Sequence, residues 1–322
     1  MNKIKIKSAD DKISILVGDF YSNLGTIQSI ECIHSETNSE IHKITTKNDQ
    51  YLLHHNMFDN DKRIEKMCQV LNEISISNTN VIKPIKNQFK NFSQNKFYVT
   101  KFENGKLFSG SKKEYFDLAK KLNILHKQLD NYNLKYNFRP NDKSYKLFTN
   151  KEFVIIKKQL LKIKYKDKID TIIDKNILFI ENQITKYSII PKNNIFEKQL
   201  IHFDLHPNNV LFINKSLKLF LDFNSMRKGY LIEDVLFCGF RFGYQISSNP
   251  KIIHNLLHLF LKKYFNKKIS YTDEDLNYFL SRFILYRICF ILRNHFFSKS
   301  NLWVSDFNNQ LKYLKLINKI FR

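Results

Sequence analysis

An α+β chain is predicted: a strand-rich N-terminal lobe, then a mostly helical lobe that carries one small hairpin. Three patterns carry this. The first hundred residues break into short strand-like runs separated by turn signals. From about residue 112 onward, apolar residues recur at helical spacing. Between residues 199 and 223, two apolar strand segments flank polar-rich tips. A chain of 322 residues has room for two domains or one two-lobed unit. Its 43% hydrophobic and 26% charged residues support a packed core rather than disorder.

Ser39 to Thr46 alternates imperfectly, Lys47-Asn48-Asp49 is a turn signal, and Gln50 to His54 is a second strand, which together predict a β-hairpin. From Asp61 to Ile74, the residues Ile64, Met67, Leu71 and Ile74 recur at steps of three and four, so an amphipathic helix is expected. Lys96 to Phe102 reads as another strand. Asn104-Gly105 and Ser109-Gly110-Ser111 then punctuate the chain, which places the expected boundary between a lobe of residues 1–103 and one of 104–322. Tyr115 to Leu129 carries Leu118, Leu122 and Leu125 on one helix face. Residues 151–188 read as two helices, and helices return from about 231 to the end. Thr272 with Asp275 fits a capping box.

Composition excludes several classes. Apolar runs reach only about five residues, far short of the ~18 that a membrane span needs. The start is basic without an apolar stretch, so no secretory signal is read. The net charge of +23 invites a nucleic-acid or membrane-surface reading, but only eight of the 53 basic residues are Arg. Arg is the side chain suited to bidentate phosphate and base contacts. Lys here accompanies abundant Asn, Ile, Phe and Tyr, so the charge is read as compositional bias and nucleic acid as an unlikely partner. Cys32, Cys68, Cys238 and Cys289 form no C-x-x-C pair or zinc spacing, which points to reduced thiols in the cytoplasm.

The chemistry concentrates at His202-Phe-Asp-Leu-His-Pro-Asn-Asn-Val-Leu-Phe212 and Phe220-Leu-Asp-Phe223. Strands pairing around Asn214-Lys215-Ser216 would bring Asn209 near Asp222, with Asp204 in the loop just before. Two carboxylates and an amide oxygen suit a hard dication such as Mg²⁺, and a carboxylate left off the metal is able to take a proton from an attacking hydroxyl. A zinc or di-metal reading also exists, because His202, Asp204 and His206 alternate and would share one face of an extended strand. Pro207 and the spacing to Asn209 and Asp222 favour the first reading.

The ordered set H-x-D-x-x-x-x-N at 202, 204 and 209, L-D-F at 221–223 and Glu233-Asp234-Val235 resembles the aminoglycoside phosphotransferase/choline kinase family, small-molecule relatives of the protein kinases. The hairpin at 39–54, the helix at 61–74, the strand at 96–102 and Leu122 to His126 agree more weakly, and so does Leu261 to Tyr264. The resemblance implies a bilobal protein-kinase-like fold that uses ATP, or another nucleoside triphosphate, with Mg²⁺ to phosphorylate a hydroxyl of a small molecule. It implies Asp204 as catalytic base, Asn209 and Asp222 as metal ligands, and His202 and Asp234 as supports of the catalytic loop. Glu65 would pair with the phosphate-binding basic residue of the strand, and backbone near Thr100 to Phe102 would face adenine.

The sequence departs from the family pattern where a strand Lys is common. Leu53-His54-His55 stands there, with His54 as the matching residue and Lys43 on the neighbouring strand as the other candidate. No G-x-G-x-x-G is present, so Ser35 to Ser39 would have to cover the phosphates. Arg282, Tyr286 and Arg293 form one stripe on an otherwise apolar helix, and a buried Arg needs either an internal carboxylate or an anionic substrate group. Residues 235–322 hold 14 Lys and Arg against four acids, which disfavours a polycationic acceptor and leans towards a sugar, a hydroxy amino acid or another neutral to anionic compound. The rivals are a nucleotide-binding regulator of the same fold that has lost catalysis, a choline/ethanolamine-type kinase, and a basic RNA- or membrane-surface binder.

Overall fold

The computed structural model describes residues 11–36, 39–56, 59–132, 147–164, 166–188, 198–266, 271–298 and 304–321. Thr37 and Asn38, within the segment expected over the phosphates, lie outside them. Two compact units divide the chain: Met1–Phe138 with Leu200–Met226, and Arg139–Gln199 with Arg227–Arg322.

The first unit opens with a helix, α1 (Asp11–Phe20), inside a region where the sequence suggested only short strands. Its signal is periodic: Ile13, Leu16, Val17 and Phe20 fall at helical offsets. An antiparallel sheet follows, built from β1 (Ile27–Glu36), β2 (Ser39–Thr46) and β3 (Gln50–Asn56). After α2 (Asp61–Ser77) come β4 (Pro84–Ile85), β5 (Ser93–Gln94) and β6 (Phe97–Lys101). The sheet order is β1-β2-β3-β6-β4, with β5 paired to β6.

Register sorts the sheet into two faces. Ile44, Leu53 and Val99 are fully buried and pack with Ile13, Leu16 and Val17 of α1. Burying each such aliphatic side chain contributes roughly 1.5–3 kcal/mol. The alternate residues Lys43, Leu52 and Thr100 lie side by side on the other face, as do Ile41, His54 and Tyr98 one row along. The expected hairpin and helix are thus present.

Helix α3 (Lys112–Asp130) belongs to the same unit, as does the hairpin of β8 (Val210–Ile213) and β9 (Ser216–Phe220). Strand β7 (Lys198–Ile201) spans the boundary between the units. The first compact unit thus holds residues on both sides of position 103/104. Asp117 of α3 accepts hydrogen bonds from Leu217 N (2.7 Å) and Ser216 Oγ (3.1 Å). Asn80 donates to the Leu217 and Lys218 carbonyls, and Lys106 and Phe212 exchange backbone hydrogen bonds at 2.8 and 2.9 Å. Gly105 permits that last approach, since a Cβ there would sit 2.8 Å from Leu211 Cβ.

Among the described residues, the second unit holds the first two residues of β7, the strand β10 (Arg227–Tyr230) and the helices α4 (Asn150–Lys162), α5 (Lys168–Tyr187), α6 (Leu231–Ile246), α7 (Pro250–Phe265), α8 (Asp273–Phe297) and α9 (Phe307–Ile320). The capping box of Thr272 and Asp275 opens α8 as expected, and α8 is buried along most of its length. All four cysteines are unbridged. No described helix is long and apolar enough to cross a membrane.

Candidate active site

The site builds from a sharp ribbon. Asn214 and Lys215 both adopt positive φ (50° and 62°), the turn that lets β8 and β9 pair with a two-residue connection. Pairing of Val210 with Phe220 brings the residue before β8 opposite the residue after β9, and the Leu221 N–H donates to the Asn209 carbonyl (2.9 Å). Asn209 Nδ2 donates to the Asp204 carbonyl (2.9 Å), which leaves Oδ1 as the amide atom offered to a cation. His202 closes the circuit: its Nε2–H donates to the Leu221 carbonyl at 2.7 Å. Its Nδ1 then accepts from the Asp204 N–H at 3.4 Å, so the two bonds together specify the neutral Nε2–H tautomer. The ring is fully buried and lies 4.6 Å from Phe223.

This geometry removes the zinc alternative. Phe203 has φ +70°, so residues 202–206 are not an extended strand. His202 serves the Leu221 carbonyl, and His206 caps the turn at Pro207 through Asn208 N. The donors that gather are oxygens: the Asn209 amide and, across the ribbon, the Asp222 carboxylate. Oxygen donors of this kind fit Mg²⁺.

Asp222 itself is left-handed (φ +51°, ψ +71°), and its carboxylate accepts from Asn224 N at 3.3 Å. The loop it starts is held by two groups absent from the expected set. Arg63 on α2 sends Nη2 to the Asn224 carbonyl (3.3 Å) and the Met226 carbonyl (3.0 Å), while Nη1 pairs with Asp59. Tyr98 on β6 donates its hydroxyl to Asn224 Oδ1 at 3.3 Å. Burial, with Asp222 and Cys68 nearby, pushes the Tyr98 hydroxyl well above its ordinary pKa, so it stays a donor. The scarcity of Arg in this Lys-rich chain was the one signal that could have drawn attention to Arg63.

The strand face meets this loop through Tyr98. The His54 ring stacks on it (centroids 4.5 Å apart) and bonds Thr100 Oγ1 at 3.0 Å. Burial lowers the His54 pKa from 6.5 to about 4, so the ring is neutral near pH 7. Lys43 lies on the same face with Nζ 4.7 Å from the Phe102 ring centre. Glu65 is turned elsewhere. Its Oε2 accepts from Phe92 N (2.9 Å), Ser93 N (2.8 Å) and Ser93 Oγ (3.2 Å), and its Oε1 from Gln69 (3.3 Å), which pins the segment leading into β6. The expected pairing of Glu65 with the strand base is therefore not formed: the backbone N–H groups of that segment take its carboxylate.

In the second unit, Asp234 is fully buried at the start of α6. Arg293 gives Nε to Glu152 Oε1 (2.8 Å) and Nη2 to Oε2 (3.3 Å), so its partner is an internal carboxylate. Arg282 bonds the Tyr187 carbonyl (3.1 Å), the Tyr278 hydroxyl (2.7 Å) and Tyr286, with Glu233 Oε1 at 4.0 Å. The stripe expected from sequence thus splits, Arg282 with Tyr286 in one cluster and Arg293 in another. Burial pushes the Glu233 carboxyl up to about 8 even though Arg282 and Lys198 pull it down.

The family model described as the phosphotransferase enzyme family matches residues 33–261, well over half of the chain. The chain belongs to this phosphotransferase family. Among solved structures, the phosphotransferase resembles spectinomycin phosphotransferase APH(9)-Ia, in complex with ADP and spectinomycin, with TM-score 0.65, 16% identity and 98% of each chain covered. Plasmodium vivax ethanolamine kinase matches with TM-score 0.61 and 17% identity over 100% of this chain and 92% of that one. Choline kinase LicA from Streptococcus pneumoniae matches with TM-score 0.59 and 13% identity, covering 95% and 99%. No curated protein matches the phosphotransferase in sequence. The protein-kinase-like α+β fold expected from the motifs is thus the fold of this phosphotransferase.

Proposed function

We propose that the chain transfers the terminal phosphoryl group of ATP, or of another nucleoside triphosphate, to a hydroxyl of a small molecule, with Mg²⁺ bound. The observation that carries this is the circuit from His202 through Leu221 and Asn209 to Asp204, in the same unit as the strand face of His54, Thr100 and Phe102. Asn209 and Asp222 are the residues that would hold Mg²⁺, which when bound neutralises phosphate charge. Asp204 accepts the hydroxyl proton and orients the attacking oxygen. His202 positions Asp204 through its backbone. The backbone near Thr100 and Phe102 meets adenine. Of the two strand candidates, Lys43 is the better phosphate cation, because His54 is neutral near pH 7 and already bonded to Thr100. A cytoplasmic setting, expected from the cysteines, is where ATP is available.

The related structures carry the names of antibiotic, ethanolamine and choline kinases. Here the charge of residues 235–322 and the neutral Glu233 favour an uncharged, zwitterionic or anionic hydroxyl compound. Turnover of ATP and Mg²⁺ against a panel of sugars, hydroxy amino acids, amino alcohols and aminoglycosides tests the proposal. Transfer that Asp204→Asn abolishes supports it, and an Asp204→Asn variant as active as the parent removes Asp204 as base.

A second reading, a nucleotide-binding regulator without catalysis, draws on the neutral His54 and on the carboxylate of Glu65 being engaged elsewhere. Thermal stabilisation by ATP and Mg²⁺ without turnover of any acceptor would favour it. Absence of stabilisation would refute both.

A further inference from the structure

Outside the phosphotransferase site, α7 carries His254 and His258 one helical turn apart, so both rings project from one face. Their Nε2 atoms converge to 3.2 Å. Both also meet a single side chain at the start of α8: His254 Nε2 lies 3.0 Å from Asp273 Oδ2, and His258 Nε2 lies 2.8 Å from Asp273 Oδ1. Among the described residues this is the one group of three His, Cys, Asp or Glu side chains whose ligand atoms all lie within 4.8 Å of one another.

The arrangement is a poor one for three independent side chains. For each ring to bond its carboxylate oxygen, both Nε2 atoms must carry protons, and the two N–H groups then face each other at 3.2 Å. A single dication replaces both protons and turns that opposition into coordination. Tetrahedral zinc with bonds of about 2.0–2.1 Å has ligand–ligand edges of about 3.3 Å, close to the separation of the two nitrogens. The Phe321 ring packs edge-on against His254 at 5.7 Å and helps fix the imidazole plane. The side chains are 26%, 36% and 51% exposed, which leaves a coordination position open to water.

We propose that His254, His258 and Asp273 form a transition-metal site, filled by Zn²⁺, that staples α7 to the N-terminus of α8. Two imidazoles and one carboxylate select a borderline dication such as Zn²⁺ and reject Mg²⁺, which takes oxygen ligands. The site is therefore chemically separate from the set at Asn209 and Asp222. Its consequence is metal-dependent stability, since a ligand that binds only the folded form stabilises it by mass action.

The full chain, stripped with chelator, is titrated with Zn²⁺ by calorimetry and by competition with a chromogenic chelator, and with Co²⁺ by visible spectroscopy. One equivalent of Zn²⁺ is expected, with a rise in unfolding temperature that equal Mg²⁺ does not give, and with the absorption of Co²⁺ in low-coordinate, nitrogen-containing surroundings. Affinity should fall at least ~10-fold in His258→Gln and in His254→Gln. Neither variant removes a core side chain, and circular dichroism of each confirms the fold. Absence of Zn²⁺ binding, or one-equivalent binding that both variants leave unchanged, overturns the proposal.

Discussion

Glu233→Gln tests whether burial or ion pairing governs the start of α6. Glu233 is 3% exposed and its Oε1 accepts no hydrogen bond, while Arg282 Nε stands 4.0 Å away. A well-made ion pair would hold this carboxyl low. Burial instead raises it from its ordinary 4.5 to about 8. Between those values the folded protein keeps a proton that the unfolded chain has released, so stability is full below pH 4.5 and declines as pH rises. Each pH unit in that window costs about 1.4 kcal/mol, giving a ceiling of about 5 kcal/mol by pH 8. Glutamine has nearly the same shape as the protonated acid and titrates nowhere. Urea denaturation at pH 5, 6, 7 and 8 should show the two proteins nearly equal at pH 5, with the variant pulling ahead by on the order of 2–5 kcal/mol at pH 8. A variant no more stable than the parent at pH 8 would show that Glu233 is ionised and paired with Arg282, and that the argument from burial fails.

Three more changes probe the first unit. Arg63→Lys keeps the charge but not a fork able to span the Asn224 and Met226 carbonyls, so a loss of about 1–3 kcal/mol in chemical denaturation is expected, together with weaker thermal stabilisation by ATP and Mg²⁺. A variant equal to the parent in both would dismiss the clamp. In acid, His54 should cost stability: the unfolded ring takes a proton below pH 6.5 while the folded one resists until about pH 4. That amounts to roughly 2 kcal/mol by pH 5, and His54→Gln should flatten this part of the pH profile. Asp222→Gly relieves a left-handed residue but removes a turn cap and the carboxylate proposed to hold Mg²⁺, so the unfolding temperature should change little while the response to ATP with Mg²⁺ is lost. A retained response would disprove the ligand role.

What could be read from the sequence was local. The β8–β9 ribbon, the capped start of α8 and α2 each follow from residue types within one or two turns of chain, and the ribbon alone sets Asn209 opposite the residues that lead into Asp222. The same periodicity marks α1, whose Ile13, Leu16 and Val17 recur at helical offsets in a region that otherwise reads as short strands. Partnerships across the fold were not legible in this way. Glu65 sits at the helical position where a strand base would be sought, yet three donors from Phe92 and Ser93 claim its carboxylate. Periodicity announces that Arg293 is buried without naming Glu152, which comes from a helix more than a hundred residues earlier. His54 stands where a lysine was expected, and only its place between Tyr98 and Thr100 shows that it is uncharged.

Backbone strain ties these observations together. Phe203 and Asp222 both hold positive φ without being glycine, at a cost on the order of 1–3 kcal/mol each. Glycine would remove the cost at either place. It would also remove the Phe203 side chain, which is 4% exposed and packed in the core, and the Asp222 carboxylate that caps the next turn. The strained pair sits on either side of the His202–Leu221 hydrogen bond, so the bond that joins the two segments is flanked by the two residues least able to relax independently. Strain of this kind persists only where the surroundings over-determine it, and here they do: Arg63 and Tyr98 grip the loop after Asp222, while Asn209 grips the backbone after Phe203. The Asp204 backbone and the Asn209 and Asp222 side chains are consequently held by the fold itself, and the proposed phosphoryl transfer would draw on this, since charges already in place need no reorganisation during a reaction.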